Sequence, residues 1–184
     1  MTTTSTPTTT RRFAGDPVHS TFGFAVRHMG VSFYRGSFDD VTAALTIDPD
    51  GTATLTGVAE VESISITSPA DLRAHVLGDD FFAADQHPSL SFRATAITLP
   101  VGGGEVRIPG VLTLRGIERD VVATGTWNGP VDDPFGGVRA ALELTTTVDR
   151  RDFGMSWNVA LPKGGDALGT DVRIDVHLEL VEEA

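Results

Sequence analysis

Apolar and polar residues alternate with a period of two along much of the chain. Between Val172 and Leu180 every second residue is apolar, and the stretches at 20–27, 106–115 and 142–149 repeat this pattern. Successive side chains of a strand point to opposite faces of a sheet, so each stretch predicts a strand with one dry face. A long series of such strands buries its dry faces by closing around a common apolar interior.

One segment changes from this period to a helical one. Ser68 offers an N-cap hydroxyl, Pro69 suits the first helical position, and a glycine at 78 ends the segment. Leu72 and Val76 then lie on one apolar face. The chain therefore predicts an all-β domain with one short helix.

Length and composition are those of one domain preceded by a tail. Residues 1–10 are almost entirely Thr, Ser and Pro, so we expect a disordered tail there and a folded domain over 11–184. The tail has no apolar core of the secretory kind, and no stretch approaches the roughly 20 apolar residues that cross a bilayer. These features predict a cytoplasmic protein without stable membrane insertion.

Charge and cysteine content exclude several functions. The net charge is −11, from 25 acidic and 14 basic residues, and Lys163 is the only lysine. That balance argues against nucleic-acid binding and against electrostatic docking on anionic lipid. There is no cysteine, so disulfides, thiolate chemistry and cysteine-ligated zinc are excluded.

Small residues are frequent on the predicted inward rows. A wide barrel lined partly by alanine and glycine does not fill its own interior, and an apolar ligand explains such a space most simply. The inward small residues on which this expectation rests are Ala43, Gly57, Ala59, Ala94 and Ala96.

Several motifs, in order along nearly the whole chain, resemble the YceI-like family. The opening residues combine DPVHS with a phenylalanine-rich strand that ends in histidine and glycine, and a YRGSF segment follows. The remaining motifs include DDFF, a central hairpin and a late RRDFG signature. The segments that carry the resemblance are 16–30, 34–38, 63–67, 72–92, 110–117 and 150–154.

This resemblance implies an extended antiparallel, lipocalin-like β-barrel of about eight strands with one short covering α-helix. It also implies an apolar tunnel that binds long isoprenoid-like or other amphiphilic lipids. Many members carry an export signal and work in the periplasm, whereas the start of this sequence shows none. The family usually has tryptophan near the start of the first strand, where this chain has Phe13.

The candidate ligand-binding residues are mainly inward apolar positions, with polar or aromatic groups at the tunnel mouth. His28 is either a mouth residue or a structural one. Arg150 and Asp152 either hold a ligand head group or form an ion pair that pins the long 150–169 loop. The full set is Phe22, Phe24, His28, Leu45, Leu72, Phe81, Phe92, Ala94, Ala96, Leu112, Leu114, Leu142, Arg150 and Trp157.

Catalytic and metal motifs are missing from the sequence. None of the five histidines forms an i, i+4 pair, and there is no nucleophile elbow, P-loop or dinucleotide fingerprint. We therefore expect no metal, no cofactor and no enzymatic activity.

The predicted function is binding, storage or transport of an apolar chain-like lipid without chemical turnover. Its partner is a long-chain apolar small molecule, and a homodimer is left open. One alternative is a cofactor-free isomerase or hydrolase that uses His28 or Asp152 as a base buried in the same cavity. Another is an interaction module with a filled interior.

Overall fold

The computed structural model describes residues 9–183, so most of the predicted tail, residues 1–8, lies outside the described residues. Ten strands, one α-helix and two 3₁₀ turns follow one another along the chain. They are β1 (Arg11–Gly15), β2 (Thr21–His28), β3 (Ser32–Phe38), β4 (Val41–Ile47), β5 (Thr52–Glu60), a 3₁₀ turn (Val61–Ser63), α1 (Ala70–Leu77), β6 (Ser89–Thr98), β7 (Gly104–Leu114), β8 (Ile117–Asp132), β9 (Val138–Asp149), a 3₁₀ turn (Arg150–Phe153) and β10 (Leu168–Glu182).

Eight of the strands form a closed antiparallel barrel. The order is β1-β4-β5-β6-β7-β8-β9-β10, and the pairing of β1 with β10 closes the ring. Side chains alternate between the two faces of a strand, so each strand presents one row to the interior. These inward rows are mainly apolar. The predicted all-β barrel with one helix is therefore confirmed.

Strand β10 pairs along one edge with two different strands. Its end, Leu180–Glu182, pairs with β1, and its beginning, Leu168–His177, pairs with β2. The chain between β1 and β2 leaves the sheet at Asp16 and Pro17, which interrupt what would otherwise be one long strand. The barrel is thus closed by β1 at one end and extended by the β2–β3 hairpin at the other.

The outer edge of the hairpin is covered by the segment between β5 and β6. Strand β3 pairs with β2 along its length, while a single bridge joins Phe38 to Ile64. Past this bridge the segment carries α1, and Phe82 packs edge-on against Phe38 with ring centroids 5.7 Å apart. The helix therefore lies where the sheet itself leaves an opening.

The barrel interior has two parts. The β1 end is the packed half, where one cluster of buried side chains fills the barrel together with Trp127. Its most deeply buried members, at most 1% exposed, include Phe13, Leu45, Leu142 and Leu180. At the hairpin end a second cluster joins the sheet to α1 through residues such as Phe38, Leu114 and Phe153.

Two local predictions are wrong. Ala96 does not face inward, because Ala53 pairs with Ile97 while Leu55 pairs with Ala94, so a bulge intervenes. Ala96 has a φ of 56° and is exposed. Ser68 does not cap α1 either, because Pro69 occupies the N-cap position without a side-chain bond, whereas Gly78 ends the helix as predicted.

Gly125 of β8 provides a test of the strand packing. An added Cβ would overlap the backbone oxygen of Glu143 on β9, so we expect Gly125→Ala to destabilise the fold by about 2 kcal/mol or more. Gly57→Ala is the matched control, since the nearest atom to its added Cβ lies 3.8 Å away. Thermal melts of both variants check this, and equal melting temperatures would contradict the β8–β9 packing.

Candidate functional site

The hairpin end of the barrel encloses a cavity of about 710 Å³. This volume lies within the roughly 300–1,000 Å³ typical of small-molecule sites. Its walls are almost entirely apolar and come from β2, β3, β6, β7, β9 and β10, with α1 and the loop after Phe153 above them. The expected hollow interior is therefore present in this half of the barrel.

Strand alternation places the wall residues. Phe22, Phe24, Val26 and His28 are every second residue of β2, and all four line the cavity. These side chains are large, yet they surround empty space. The reason is that β3, among the strands described, pairs only with β2, so the sheet does not close at the outer edge of the hairpin. The cavity therefore results from the path of the sheet.

An aromatic cluster joins α1 to the long loop at the mouth. The His75 ring lies edge-on to Trp157 and Phe81, with centroids 4.8 Å and 5.2 Å away, and the latter two rings are 5.5 Å apart. The Nε2 atom of His75 also lies 3.0 Å from an Asp80 carboxylate oxygen. These contacts hold helix and loop together over the cavity.

Arg150 is a buried charge in the cavity wall and is only 3% exposed. Its guanidinium donates to the backbone carbonyl oxygens of Met155, Leu168 and Gly169. Burial lowers the pKa of this guanidinium, which nevertheless stays charged. Arg150 thus fixes both ends of the loop that closes the cavity.

A side chamber of about 60 Å³ continues the cavity toward the packed half. Phe22, Leu90, Leu112 and Ile174 line both spaces. Small residues from β4 and β5 widen the barrel at the chamber, and they are Ala43, Gly57 and Ala59.

The sequence model of the YceI-like domain matches residues 13–180. The chain belongs to the YceI-like family. A UPF0312 protein of Staphylococcus aureus is 31% identical over 169 residues, which are 91% of this chain and 95% of that protein.

Solved structures of low identity share the fold. BcnA of Burkholderia cenocepacia superimposes with a TM-score of 0.69 at 21% identity, over 90% of this chain and 98% of that one. A domain from Saccharophagus degradans, described as polyisoprenoid-binding, gives a TM-score of 0.64 at 16% identity, over 91% and 97% of the two chains.

Nine of the predicted ligand-binding residues line the 710 Å³ cavity, so a ligand in the cavity would contact them. Whether they bind one stays a prediction. The nine are Phe22, Phe24, His28, Leu72, Phe81, Leu112, Leu114, Arg150 and Trp157.

Five predicted residues lie elsewhere. Leu45, Ala94 and Leu142 face inward as expected but belong to the packed half. Phe92 lines the side chamber, and its ring covers Gly110 of the neighbouring strand. Ala96 is exposed at the bulge.

Sequence reasoning missed several wall residues of the YceI-like cavity. The same parity rule that selected Phe24 also applies to Val26, Val148 and Ile174, so these could have been found. Leu161 comes from the irregular loop, where no periodicity indicates which side chains turn inward. The missed residues include Val26, Tyr34, His75, Leu90, Val148, Leu161, Val172 and Ile174.

Asp152 does not line the cavity. It is exposed, and no ion pair joins it to Arg150 within residues 9–183, so the expected pair is wrong. The neighbouring acid, Asp149, pairs with Arg151 instead, and this hydrogen-bonded contact lowers the pKa of Asp149 to about 2. His28, the other candidate base, is also exposed.

One cluster has the composition of a metal site but is occupied by an arginine. Ligand atoms of Asp16, His19 and Glu179 lie within 4.8 Å of one another. The Arg139 guanidinium donates to both carboxylates of this group. Hydrogen bonds from His19 and Arg139 lower the pKa of Asp16, while Asp16 raises that of His19. The cluster is therefore an ion-pair network at the point where the chain leaves the sheet between β1 and β2.

Leucine-to-phenylalanine changes distinguish the hollow half from the packed half. Leu114→Phe adds volume that the cavity can accept, so we expect a loss of less than about 1 kcal/mol. Leu142→Phe adds the same volume to the packed cluster and should cost about 1–3 kcal/mol. Urea unfolding of the two variants measures the difference, and equal losses would mean that the hairpin end is not hollow.

Proposed function

We propose that this YceI-like domain binds an apolar, chain-like lipid of isoprenoid type in its cavity and releases it chemically unchanged. The observation that carries the proposal is the 710 Å³ cavity with its almost wholly apolar wall. Each CH₂ group moved from water into such a space gains about 0.8 kcal/mol, so long chains gain most.

The arrangement of polar groups supports an orientation for the ligand. Deep positions such as Ile174 and Leu112 are apolar, whereas His28 and His75 lie at the mouth. A polar head group would keep its hydrogen bonds by staying at this mouth, because burying it without partners is unfavourable. The chain of the ligand would then extend toward the side chamber.

Two further observations support a carrier. A structural neighbour with the same fold is described as a polyisoprenoid-binding domain. A base working inside the cavity would be shielded from water, whereas His28 and Asp152 are both exposed.

Within residues 9–183, no helix is long and apolar enough to span a membrane. Cytoplasmic residence stays a prediction, to be checked by cell fractionation. The question of a homodimer stays open, and sedimentation would answer it.

Prenyl alcohols of two lengths test the proposal. We expect a 1:1 adduct with geranylgeraniol, a C20 alcohol, in native mass spectrometry, and at least about tenfold weaker binding of geraniol, a C10 alcohol. Trp157 lines the cavity, whereas Trp127 is 2% exposed in the packed half. Binding should therefore change the fluorescence of Trp157.

Matched variants locate the binding. Trp157→Phe should remove the fluorescence response, whereas Trp127→Phe should retain it. Leu114→Phe should weaken binding, and His28→Ala should retain most of it. Equal affinity for both alcohols, or chemical conversion of geranylgeraniol that His28→Ala abolishes, would overturn the proposal.

A further inference from the structure

Exposed apolar side chains surround one side of the cavity mouth. Val31, at the tip of the β2–β3 hairpin, is 83% exposed, and its neighbours Met29 and Phe33 are 48% and 45% exposed. Val159, in the loop beside the hairpin, is 52% exposed. Backbone contact from Met29 N–H to the Ala167 carbonyl holds hairpin and loop together. Clustered apolar exposure at an opening is typical of an interaction surface.

The same hairpin carries positive charge. The Arg27 and Arg35 guanidinium carbons lie 4.1 Å and 5.6 Å from the centroid of the Phe33 ring. Among residues 9–183, neither arginine has a carboxylate oxygen within ion-pairing distance. Residues 17–38 contain no Asp or Glu, although the chain has 25 of them. The hairpin by itself is therefore basic, although the whole chain carries a net charge of −11.

We propose that the β2–β3 hairpin docks the cavity mouth on the surface of an anionic lipid bilayer. Val31 and Phe33 would enter the interfacial layer, and Arg27 and Arg35 would contact lipid phosphates. The inference rests on the proposed function, because docking lets an apolar ligand pass between bilayer and cavity without crossing water.

Acidic residues restrict how the mouth approaches the bilayer. Asp71 and Asp80 are exposed on the α1 side of the opening. An anionic surface repels this side while it attracts the hairpin, so the barrel docks with the hairpin nearest the lipid. Binding should weaken with added salt, since the attraction acts over about one Debye length.

Sedimentation with lipid vesicles tests the apolar contact. The full-length protein should sediment with phosphatidylcholine vesicles that contain phosphatidylglycerol, and much less with phosphatidylcholine alone. Val31→Asp should abolish sedimentation. Val101→Asp is the matched control, because Val101 is also 83% exposed but lies in the β6–β7 turn at the opposite end of the barrel.

Paired arginine variants test the electrostatic contact. Arg27→Gln with Arg35→Gln should weaken binding to the anionic vesicles by about fivefold per arginine. Arg93→Gln with Arg107→Gln removes two exposed arginines from β6 and β7 and should change little. Equal behaviour of the two pairs, or of the two valine variants, would overturn the docking proposal. So would a wild-type protein that remains in the supernatant, which would direct the search to an acidic protein partner.

Ligand transfer separates this inference from the proposed function. Val31→Asp should take up geranylgeraniol from cyclodextrin as the wild type does, but should extract it at least about tenfold more slowly from anionic vesicles. Unchanged extraction would reject docking and leave ligand binding intact. Failure of every variant to take up the alcohol from cyclodextrin would reject the proposed function, while vesicle sedimentation would still decide docking.

Discussion

The pairing of β10 with two strands along one edge is the constraint on which the structure depends. Pairing with β1 closes the ring at one end, and pairing with β2 extends the sheet at the other. The break at Asp16 and Pro17 allows both. The ion pairs of Arg139 with Asp16 and Glu179 lie at this break and connect the corner to β9 and β10.

The closed ring and the extended sheet have different interiors. Within the ring, inward side chains from opposite strands meet and pack, as around Leu45 and Leu142. Around the hairpin, the sheet diverges from the strands opposite it, and even phenylalanines do not fill the space. The opening requires α1 and the 150–167 loop as covers. Arg150 and the His75–Trp157 contact hold these covers in place without closing the mouth.

Much of the fold follows from the sequence, because alternation fixes which face of a strand each residue occupies. It does not fix how far along the barrel axis a residue lies. Leu142 and Val148 belong to the same inward row of β9, yet only Val148 reaches the cavity. The prediction of a hollow interior rested on small inward residues, and such residues leave space only at the side chamber. The main cavity is lined by large side chains. The Ala96 bulge reverses the parity of β6, so that the inward row passes from Ala94 to Ile97, and one alternating row drawn through Ala96 misses this change.

Methyl NMR with bound ligand tests the central claim that one half of the barrel is a lipid cavity. Leucine and isoleucine methyl groups should be assigned, and their shifts followed as geranylgeraniol is added. We expect large changes at Leu72, Leu114 and Ile174, and almost none in the packed half. Shifts centred on packed-half leucines, or absent at the three cavity residues, would contradict this claim. The packed-half leucines to compare are Leu45, Leu142 and Leu180.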